Sequence, residues 1–242
     1  MRAKPGHRLG LVRYRSKMPA DLLALPSPEA VLLDLDGTLV DTVETRIAAW
    51  LETLAWAGFP STRERLAPLI GVDGKRLARE IAAEAGTTID DERAEEIDRR
   101  CGERYEELNT SPRPLPGVDE LVAALRQRGI TWAIATSSRK EQVATSVQAM
   151  GLPSEPRIVD ASHVKHAKPE PDLLLLAAEQ LGVEPSRCWY IGDSTWDMVS
   201  AVAAGMIAIG VTAGAAVSAT ALEGAGATVV VETLEEVARA IR

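Results

Sequence analysis

The chain has 242 residues, 46% of them hydrophobic, with 18 glycines and 14 prolines, so it is long enough for one large globular domain or a core with an insert. Cys101 and Cys188 lie far apart and form no C-x-x-C pattern, which excludes a disulfide framework or a cysteine zinc site and is typical of a reduced cytoplasmic protein. No apolar run approaches the roughly 18 residues of a membrane-spanning helix, so we expect no membrane partner.

The net charge of −8 is unevenly distributed along the chain. Residues 1–28 contain six basic residues and one acidic residue and carry +5, whereas the remainder carries −13. The acidic remainder disfavours non-specific binding to nucleic acid or anionic membranes. The basic segment lacks the apolar stretch of about 7–15 residues that a secretory signal needs. We interpret residues 1–28 as a loosely held basic extension of a cytoplasmic monomer or homodimer.

The first predicted strand ends in two acidic residues. Ala30–Leu33 is a short apolar run after Pro28, which favours a buried strand of a parallel sheet. Side chains alternate along a strand, so Asp34 and Asp36 lean to the same side where it ends. Two carboxylates this close resist joint ionisation unless a cation lies between them; otherwise one carboxyl could stay protonated and act as an acid. The alternative is an acidic strand end leading into an ordinary Asp-Gly turn.

The next 70 residues carry helical patterns and no strand pattern. A helix is predicted after Asp41, ending before Gly58, and further helices are predicted at about 62–70, 74–85 and 90–108. Prolines at 112, 114 and 116 mark the end of this block. The pattern indicates a helical cap at 42–111, inserted into a core formed by 29–41 and 112–242.

Strands and helices alternate in the rest of the chain. The predicted elements are helix 118–128, strand 130–136, helix 139–150, strand 157–160, helix 170–181, strand 187–192, helix 195–204, strands 207–211 and 227–231, and helix 233–241. Such alternation predicts an α/β fold with a Rossmann-like parallel sheet and helices on both faces. In such folds the functional crevice lies at the carboxyl ends of the strands.

Candidate polar residues collect at these strand ends. The predicted 130–136 strand ends at Thr136, and Ser137 and Ser138 come next; their hydroxyl and N–H groups suit a phosphate oxygen, although an ordinary helix N-cap is the alternative, for Ser138 in particular. Lys168 precedes helix 170–181 and could reach the same crevice, or be an ordinary solvated lysine. Asp193 is a third strand-end carboxylate that could complete an oxygen-rich Mg²⁺ site with Asp34.

Asp197 lies four residues after Asp193, and its alternative role is to compensate a helix dipole. The combined order along the chain is acid-x-acid, hydroxyl, lysine and acid-x₃-acid, all at successive strand ends. This ordered set, more than any single motif, indicates a site for phosphate chemistry.

The chain resembles the haloacid dehalogenase-like hydrolase superfamily over residues 29–242, particularly members with a helical cap, such as phosphoglycolate phosphatases and β-phosphoglucomutase. The carriers of the resemblance are DLDGT at 34–38, Thr136, Lys168 within KPEPD, and GDSTWD at 192–197. The resemblance implies a Mg²⁺-dependent phosphatase of a small phosphorylated metabolite, with an aspartyl-phosphate intermediate.

The resemblance also implies a role for each motif residue. Asp34 would be the nucleophile, and Asp36 the acid toward the leaving oxygen and then the base on water. Mg²⁺ would be held by the carboxylates of Asp34 and Asp193 and the backbone carbonyl of Asp36. Asp197 would orient Lys168 or a metal-bound water. The phosphate-binding candidates are Gly37, Thr38, Thr136, Ser137 and Lys168.

Three residues, Asp36, Arg46 and Gly74, distinguish among the reactions that members of this superfamily catalyse. Dehalogenases and phosphonate-cleaving relatives lack an acid where Asp36 stands, which disfavours both chemistries. Mutases usually carry histidine where Arg46 stands and a cap arginine where Gly74 stands, so the resemblance favours hydrolysis, with a β-phosphoglucomutase-like phosphotransferase as the alternative. A non-catalytic phospho-signalling domain is a further alternative, but such domains lack a cap insert.

Substrate specificity is expected from the cap. The segment LIGVDGKRL at 69–77 joins two cap helices, and Lys75 and Arg76 are placed to meet an anionic or hydroxylated tail. Arg46 is a further cap candidate. The alternative for the two residues in this loop is a charged helix start on a solvated face.

Overall fold

The computed structural model describes residues 19–241, so residues 1–18 of the predicted basic extension lie outside the described part. Its centre is a parallel sheet of six strands in the order β3-β2-β1-β4-β5-β6. The strands are β1 Ala30–Leu33, β2 Thr131–Ala135, β3 Arg157–Val159, β4 Cys188–Gly192, β5 Ile207–Val211 and β6 Val229–Val231. The sheet register aligns Leu33 with Ile134 on one side and with Ile191 on the other. Residues that follow these three strands therefore meet at one edge of the sheet.

Helices cover both faces of the sheet. They are α1 Ala20–Ala24, α2 Val43–Ala57, α3 Arg63–Leu66, α4 Gly74–Glu84, α5 Asp91–Leu108, α6 Val118–Arg128, α7 Lys140–Ala149, α8 Asp172–Leu181, α9 Thr195–Ala203, α10 Ala219–Gly224 and α11 Leu234–Ala240. Val31 and Leu33 of β1 pack into one hydrophobic cluster with α6 and α11, whereas Ala30 and Leu32 pack into another with α8 and α9. Burial on both faces explains why β1 is an unbroken apolar run.

Helices α2 to α5 lie between β1 and α6 in the chain and share a third hydrophobic cluster. Its members include Ile47 and Leu54 of α2, Leu77 of α4 and Ile97 of α5. We call these four helices and their loops the cap. The α/β fold with an inserted helical cap is thereby confirmed, while the exact division at 41/42 and 111/112 stays a prediction.

The structure corrects the prediction of a loosely held segment for its last residues. Helix α1 lies within the predicted extension, and Leu22 is buried in the cluster that also holds Val31. The indole N–H of Trp189 donates a hydrogen bond to the carbonyl of Pro26 at 3.1 Å. Residues 20–26 are therefore packed on the core. In the described part of the chain, no helix has both the length and the apolar character needed to cross a membrane.

Two predicted elements differ in local detail, and one short helix was not predicted. The predicted helix 62–70 is α3 followed by a short 3₁₀ turn at Ala67–Leu69, and the predicted strand 227–231 is limited to β6. The alternation pattern missed α10 because its six residues, ATALEG, are too few to show helical periodicity.

Candidate active site

The carboxyl ends of β2, β1 and β4 place three of the predicted residues side by side. Asp34 follows β1 directly, and its N–H donates to the carbonyl of Ile191 at 2.9 Å. Thr136 directly follows β2, and Asp193 directly follows β4. In the sheet register, each lies one residue beyond Asp34. All three line a cleft between the sheet edge and the cap. Sheet topology thus brings together Asp34 and Asp193, which are 159 positions apart in the chain.

Lys168 is completely buried at the floor of this cleft. Its ammonium donates to Oδ1 of Asp34 at 2.5 Å and to Oδ1 of Asp197 at 2.7 Å. Burial alone would lower the pKa of this ammonium, but attraction by Asp197 and Asp34 outweighs it and raises the pKa above its ordinary value. Lys168 is therefore a charged group inside the site, and not a solvated lysine.

The acidic groups around Lys168 outnumber it. One carboxylate oxygen from each of Asp34, Asp193 and Asp197 lies within 4.8 Å of the others. Three carboxylates and one ammonium sum to −2 when all are ionised. Burial, followed by the charges of Asp197 and Asp34, raises the pKa of Asp193 well above its usual range. Burial likewise raises the pKa of Asp34 to about 7, against the opposing effect of Lys168. When ionised, the cluster therefore carries an excess of negative charge that a bound divalent cation would neutralise.

Hydrogen bonding shows which of these oxygens are uncommitted. Asp197 accepts from Lys168 and the hydroxyl of Tyr190 on one oxygen, and from the N–H and hydroxyl of Ser194 on the other. Asp34 and Asp193, in contrast, each keep one carboxylate oxygen to which none of the described residues donates. The donor chemistry thus fits a cation held by Asp34 and Asp193, with Asp197 fixing the position of Lys168.

Gly37 and Thr38, predicted to bind phosphate, direct their donors elsewhere. The N–H of Gly37 donates to the carbonyl of Val40 at 2.8 Å, and the Thr38 hydroxyl donates to Oδ1 of Asp193 at 2.9 Å. Gly37 has a φ of +83°, and a Cβ there would overlap Oδ2 of Asp193. The pair therefore places Asp193 and does not line the cleft, because the chain passes directly beneath that carboxylate.

Asp36 lies in the cleft among four donors. It accepts from the Arg46 guanidinium at 2.9 Å, from the hydroxyls of Ser138 and Thr42 at 2.6 Å each, and from the phenol of Tyr105 at 2.7 Å. Burial alone would raise its pKa, but Arg46 and then the hydroxyl donors hold the pKa at about 2. In this arrangement, with Arg46 in contact, Asp36 is an ionised carboxylate.

Arg46 joins the cap to the core. Besides Asp36, it donates to the hydroxyl of Ser138 at 2.7 Å and to Oε1 of Gln142 at 2.9 Å, and its guanidinium lies 3.4 Å from the ring centroid of Tyr105. Sequence reasoning placed Arg46 near the substrate but missed Tyr105 and Gln142. Ser138, interpreted as a helix cap, instead bonds Asp36, and the N-cap residue of α7 is Arg139.

The structure does not bring Lys75 and Arg76 into the cleft, contrary to the prediction. Lys75 pairs with Glu95 at 3.6 Å, while Arg76 pairs with Glu80 at 2.9 Å and stacks on Trp196. The rotation of α4 explains the difference, because the residues of this helix that line the cleft are Gly74 and Leu77, three positions apart on one face.

This architecture defines a class: a parallel α/β sheet with an inserted helical cap, in which a buried cluster of three aspartates and one lysine lies at the carboxyl edge of the strands. The sequence model of the haloacid dehalogenase-like hydrolase family matches residues 31–211, well over half of the chain. The chain therefore belongs to that family, and the resemblance predicted from its motifs is confirmed.

Named relatives give the reaction type. An N-acetylmuramic acid 6-phosphate phosphatase of Pseudomonas aeruginosa is 35% identical over 179 residues, covering 73% of this chain and 78% of that protein. Hexitol phosphatase A of Escherichia coli is 35% identical over 186 residues, covering 75% and 82%. The crystal structure of a hydrolase from Pseudomonas syringae superposes with a TM-score of 0.81 at 33% identity, covering 87% and 96%. The protein is thus an enzyme, a phosphatase of the haloacid dehalogenase type, and not a non-catalytic signalling domain.

Proposed function

We propose that the chain is a Mg²⁺-dependent phosphomonoesterase of a small phosphorylated metabolite and works through an aspartyl-phosphate. The observation that carries the proposal is the buried cluster at the sheet edge, where Lys168 touches Asp34 and Asp197 while Asp34 and Asp193 keep free oxygens. The substrate range is supported by the curated relatives, since both are named for the phosphate esters of small molecules.

In the proposed first step, a carboxylate oxygen of Asp34 attacks phosphorus, and the bond from phosphorus to the leaving oxygen breaks. Lys168 and the Thr136 hydroxyl are placed to bind the phosphoryl oxygens, where charge neutralisation contributes most to the rate. Thr136 Oγ1 already accepts from the N–H of Ser138 at 3.1 Å, so its own proton is free to donate. The N–H of Ser137 bonds no acceptor among residues 19–241 and supplies a further donor.

In the second step, Asp36 takes a proton from the water that hydrolyses the aspartyl-phosphate. The four donors around Asp36 suit this role, because they hold it as an anion in the closed form. Its role as an acid in the first step requires that Arg46 release it, which opening of the cap would allow since Arg46 belongs to α2. We therefore propose that movement of the cap determines when Asp36 acts as the acid and when it acts as the base, because this movement separates Arg46 from Asp36 or brings them together.

The cation would be held by the carboxylates of Asp34 and Asp193 together with the backbone carbonyl of Asp36. Bound Mg²⁺ would neutralise negative charge on the nucleophile and on the transferred phosphoryl group. Neighbouring residues hold the carboxylates that would bind the cation in position, as Thr38 does by donating a hydrogen bond to Asp193.

Phosphate release from a panel of small phosphate esters should require Mg²⁺ and stop with EDTA. Added Mg²⁺ should also raise the melting temperature of the wild type, because the ion binds the folded state and relieves the repulsion between Asp34 and Asp193. Asp193→Asn should lose most of both effects. The control is Asp91→Asn, since the side chain of Asp91 is 99% exposed and remote from the cluster. An Asp193→Asn variant with full Mg²⁺-dependent activity and stabilisation would contradict the assigned site.

Arg46→Gln should lower kcat by about 100-fold, within the range of general acid–base catalysis, because Asp36 loses the partner that fixes its position and charge. Tyr105→Phe removes one hydrogen bond and should have an effect below about 10-fold. The measurement is steady-state kinetics combined with acid-quenched detection of the phosphoenzyme. Arg46→Gln should accumulate more aspartyl-phosphate than the wild type, since the base-dependent step is slowed. An unchanged kcat in Arg46→Gln would remove Arg46 from this role.

The mutase alternative needs a second phosphate to be bound at the cap side of the cleft. Where mutases usually carry an arginine, Gly74 stands here, and a Cβ at this position would overlap Oδ1 of Asp98. An acidic side chain in this place favours hydrolysis. Interconversion of sugar phosphates that depends on a bisphosphate primer, with little free phosphate, would reverse the choice.

A further inference from the structure

Asp98 is a charged residue of the cap wall that the proposed chemistry does not use. It belongs to α5, lines the cleft, and its side chain is only 17% exposed. One carboxylate oxygen, Oδ2, accepts from the guanidinium of Arg139 at 2.5 Å. No donor from the described part of the chain reaches the other oxygen, Oδ1. The cap thus presents one uncommitted acceptor.

Gly74 leaves the space in which this acceptor lies. It is the first residue of α4, and a Cβ built on it would overlap Oδ1 of Asp98 and lie 3.3 Å from the ring of Trp50. Any larger residue would displace the carboxylate. The position of the Asp98 carboxylate therefore depends on the absence of a side chain at Gly74.

A second uncommitted polar group lies beside Asp98. A side cavity adjoins the cleft, and Gly74, Asp98 and Ser137 line both spaces. The hydroxyl oxygen of Ser137 is buried and has no hydrogen-bond partner in the described residues. A buried hydroxyl without a partner is costly in a folded protein, which indicates that it is satisfied when a ligand is present.

The two cations that line the cleft, Arg46 and Lys168, are both paired. Arg46 is held by Asp36, Ser138 and Gln142, and the Lys168 ammonium by two carboxylates. Arg139 already bonds Asp98 at 2.5 Å and Glu95 at 2.7 Å. A negatively charged substrate tail in the cleft would therefore meet Oδ1 of Asp98 without an unpaired cation among the residues that line the cleft, since Lys165 lines the side cavity and not the cleft.

We infer that Asp98 and Ser137 form the subsite for the leaving group and select an uncharged, polyhydroxylated tail. This inference rests on the proposed function. A carboxylate oxygen can only accept, so it favours a tail that donates hydroxyl protons, and it repels a tail that ends in a carboxylate. The Ser137 hydroxyl can then accept from or donate to a neighbouring hydroxyl of the same tail. The selected class is the phosphate esters of sugars and sugar alcohols, and the disfavoured class is carboxylated esters such as phosphoglycolate.

The test compares kcat/KM for a hexitol 6-phosphate with kcat/KM for phosphoglycolate in the full chain with Mg²⁺. The wild type should prefer the hexitol ester. Asp98→Leu should lower the hexitol-to-glycolate ratio by about 10- to 100-fold, as expected for loss of a hydrogen bond to a charged group. Asp98→Asn keeps the side-chain size and should lower the same ratio, so it serves if the leucine variant does not fold. Ser137→Ala should lower the ratio by a smaller factor.

Glu95→Gln is the matched control. Glu95 shares Arg139 with Asp98 and lines the side cavity but not the cleft, so this variant disturbs the same ion pair while Oδ1 of Asp98 stays in place, and it should change the ratio less than either Asp98 variant does. A ratio that stays within about twofold in both Asp98 variants would overturn the inference, as would a wild-type preference for phosphoglycolate. Failure of the proposed function has a different signature, because the wild type would then release no phosphate from either ester.

Discussion

Replacing Asp34 with asparagine is expected to lower phosphate release by about 10,000-fold or more. An amide cannot attack phosphorus to form the acyl-phosphate, and loss of a covalent nucleophile typically removes most of an enzyme's rate enhancement. The measurement is kcat with the best ester of the panel, together with acid-quenched detection of the phosphoenzyme. Both signals should vanish together, because the same carboxylate oxygen forms the intermediate and starts turnover.

The fold of this variant should survive, which separates chemistry from stability. Asparagine keeps the side-chain oxygen that accepts from Lys168, and it removes one negative charge from a cluster that sums to −2. The metal-free variant should therefore unfold at a urea concentration no lower than that of the wild type. If the variant were inactive and also strongly destabilised, unfolding would account for the loss of activity. A stable variant with full activity would exclude Asp34 as the nucleophile.

The residues at the floor of the site could be predicted from the sequence because the topology of the sheet determines where they lie. Once the alternating pattern indicates parallel strands, their carboxyl ends must lie on one edge, so Asp34, Thr136 and Asp193 are neighbours wherever the loops run. Lys168 was harder, since eight residues separate it from the end of β3 and it lies close to the start of α8, so it does not directly follow its strand. The KPEPD motif identified it through a resemblance, and only the structure shows it to be buried against two carboxylates.

The cap was less predictable because the rotation of its helices relative to the core is not encoded in a local pattern. Lys75 and Arg76 are adjacent in sequence, and a helix cannot direct both toward one cleft. Helix α5 is rich in charges, so the sequence does not single out Asp98 among its acidic residues. A signal was present in the buried stripe of Ala94, Ile97, Cys101 and Tyr105, because Tyr105 belongs to this stripe and Asp98 lies one position beyond Ile97, at the edge of it.

Replacing Lys168 with methionine is expected to lower the free energy of unfolding by roughly 3–5 kcal/mol, the usual cost of removing one partner from a buried ion pair. Methionine has a similar length and fills the space, so the effect reports the lost charge and not a cavity. Asp34, Asp193 and Asp197 would remain buried with no ammonium to balance the charge of those that are ionised. The measurement is urea denaturation of the metal-free protein, and kcat should also fall by at least about 100-fold through loss of phosphoryl stabilisation.

Lys75→Met is the matched control for this substitution. The Lys75 side chain is 36% exposed and lies 3.6 Å from Glu95, so its loss should cost less than about 1 kcal/mol, as for other surface ion pairs. Combining Lys168→Met with Asp34→Asn should restore part of the lost stability, because one of the unbalanced charges is removed as well. If Lys168→Met were as mild as Lys75→Met, the carboxylates would not depend on that ammonium. The buried cluster on which both the cation site and the nucleophile depend would then have a different charge state from the one inferred here.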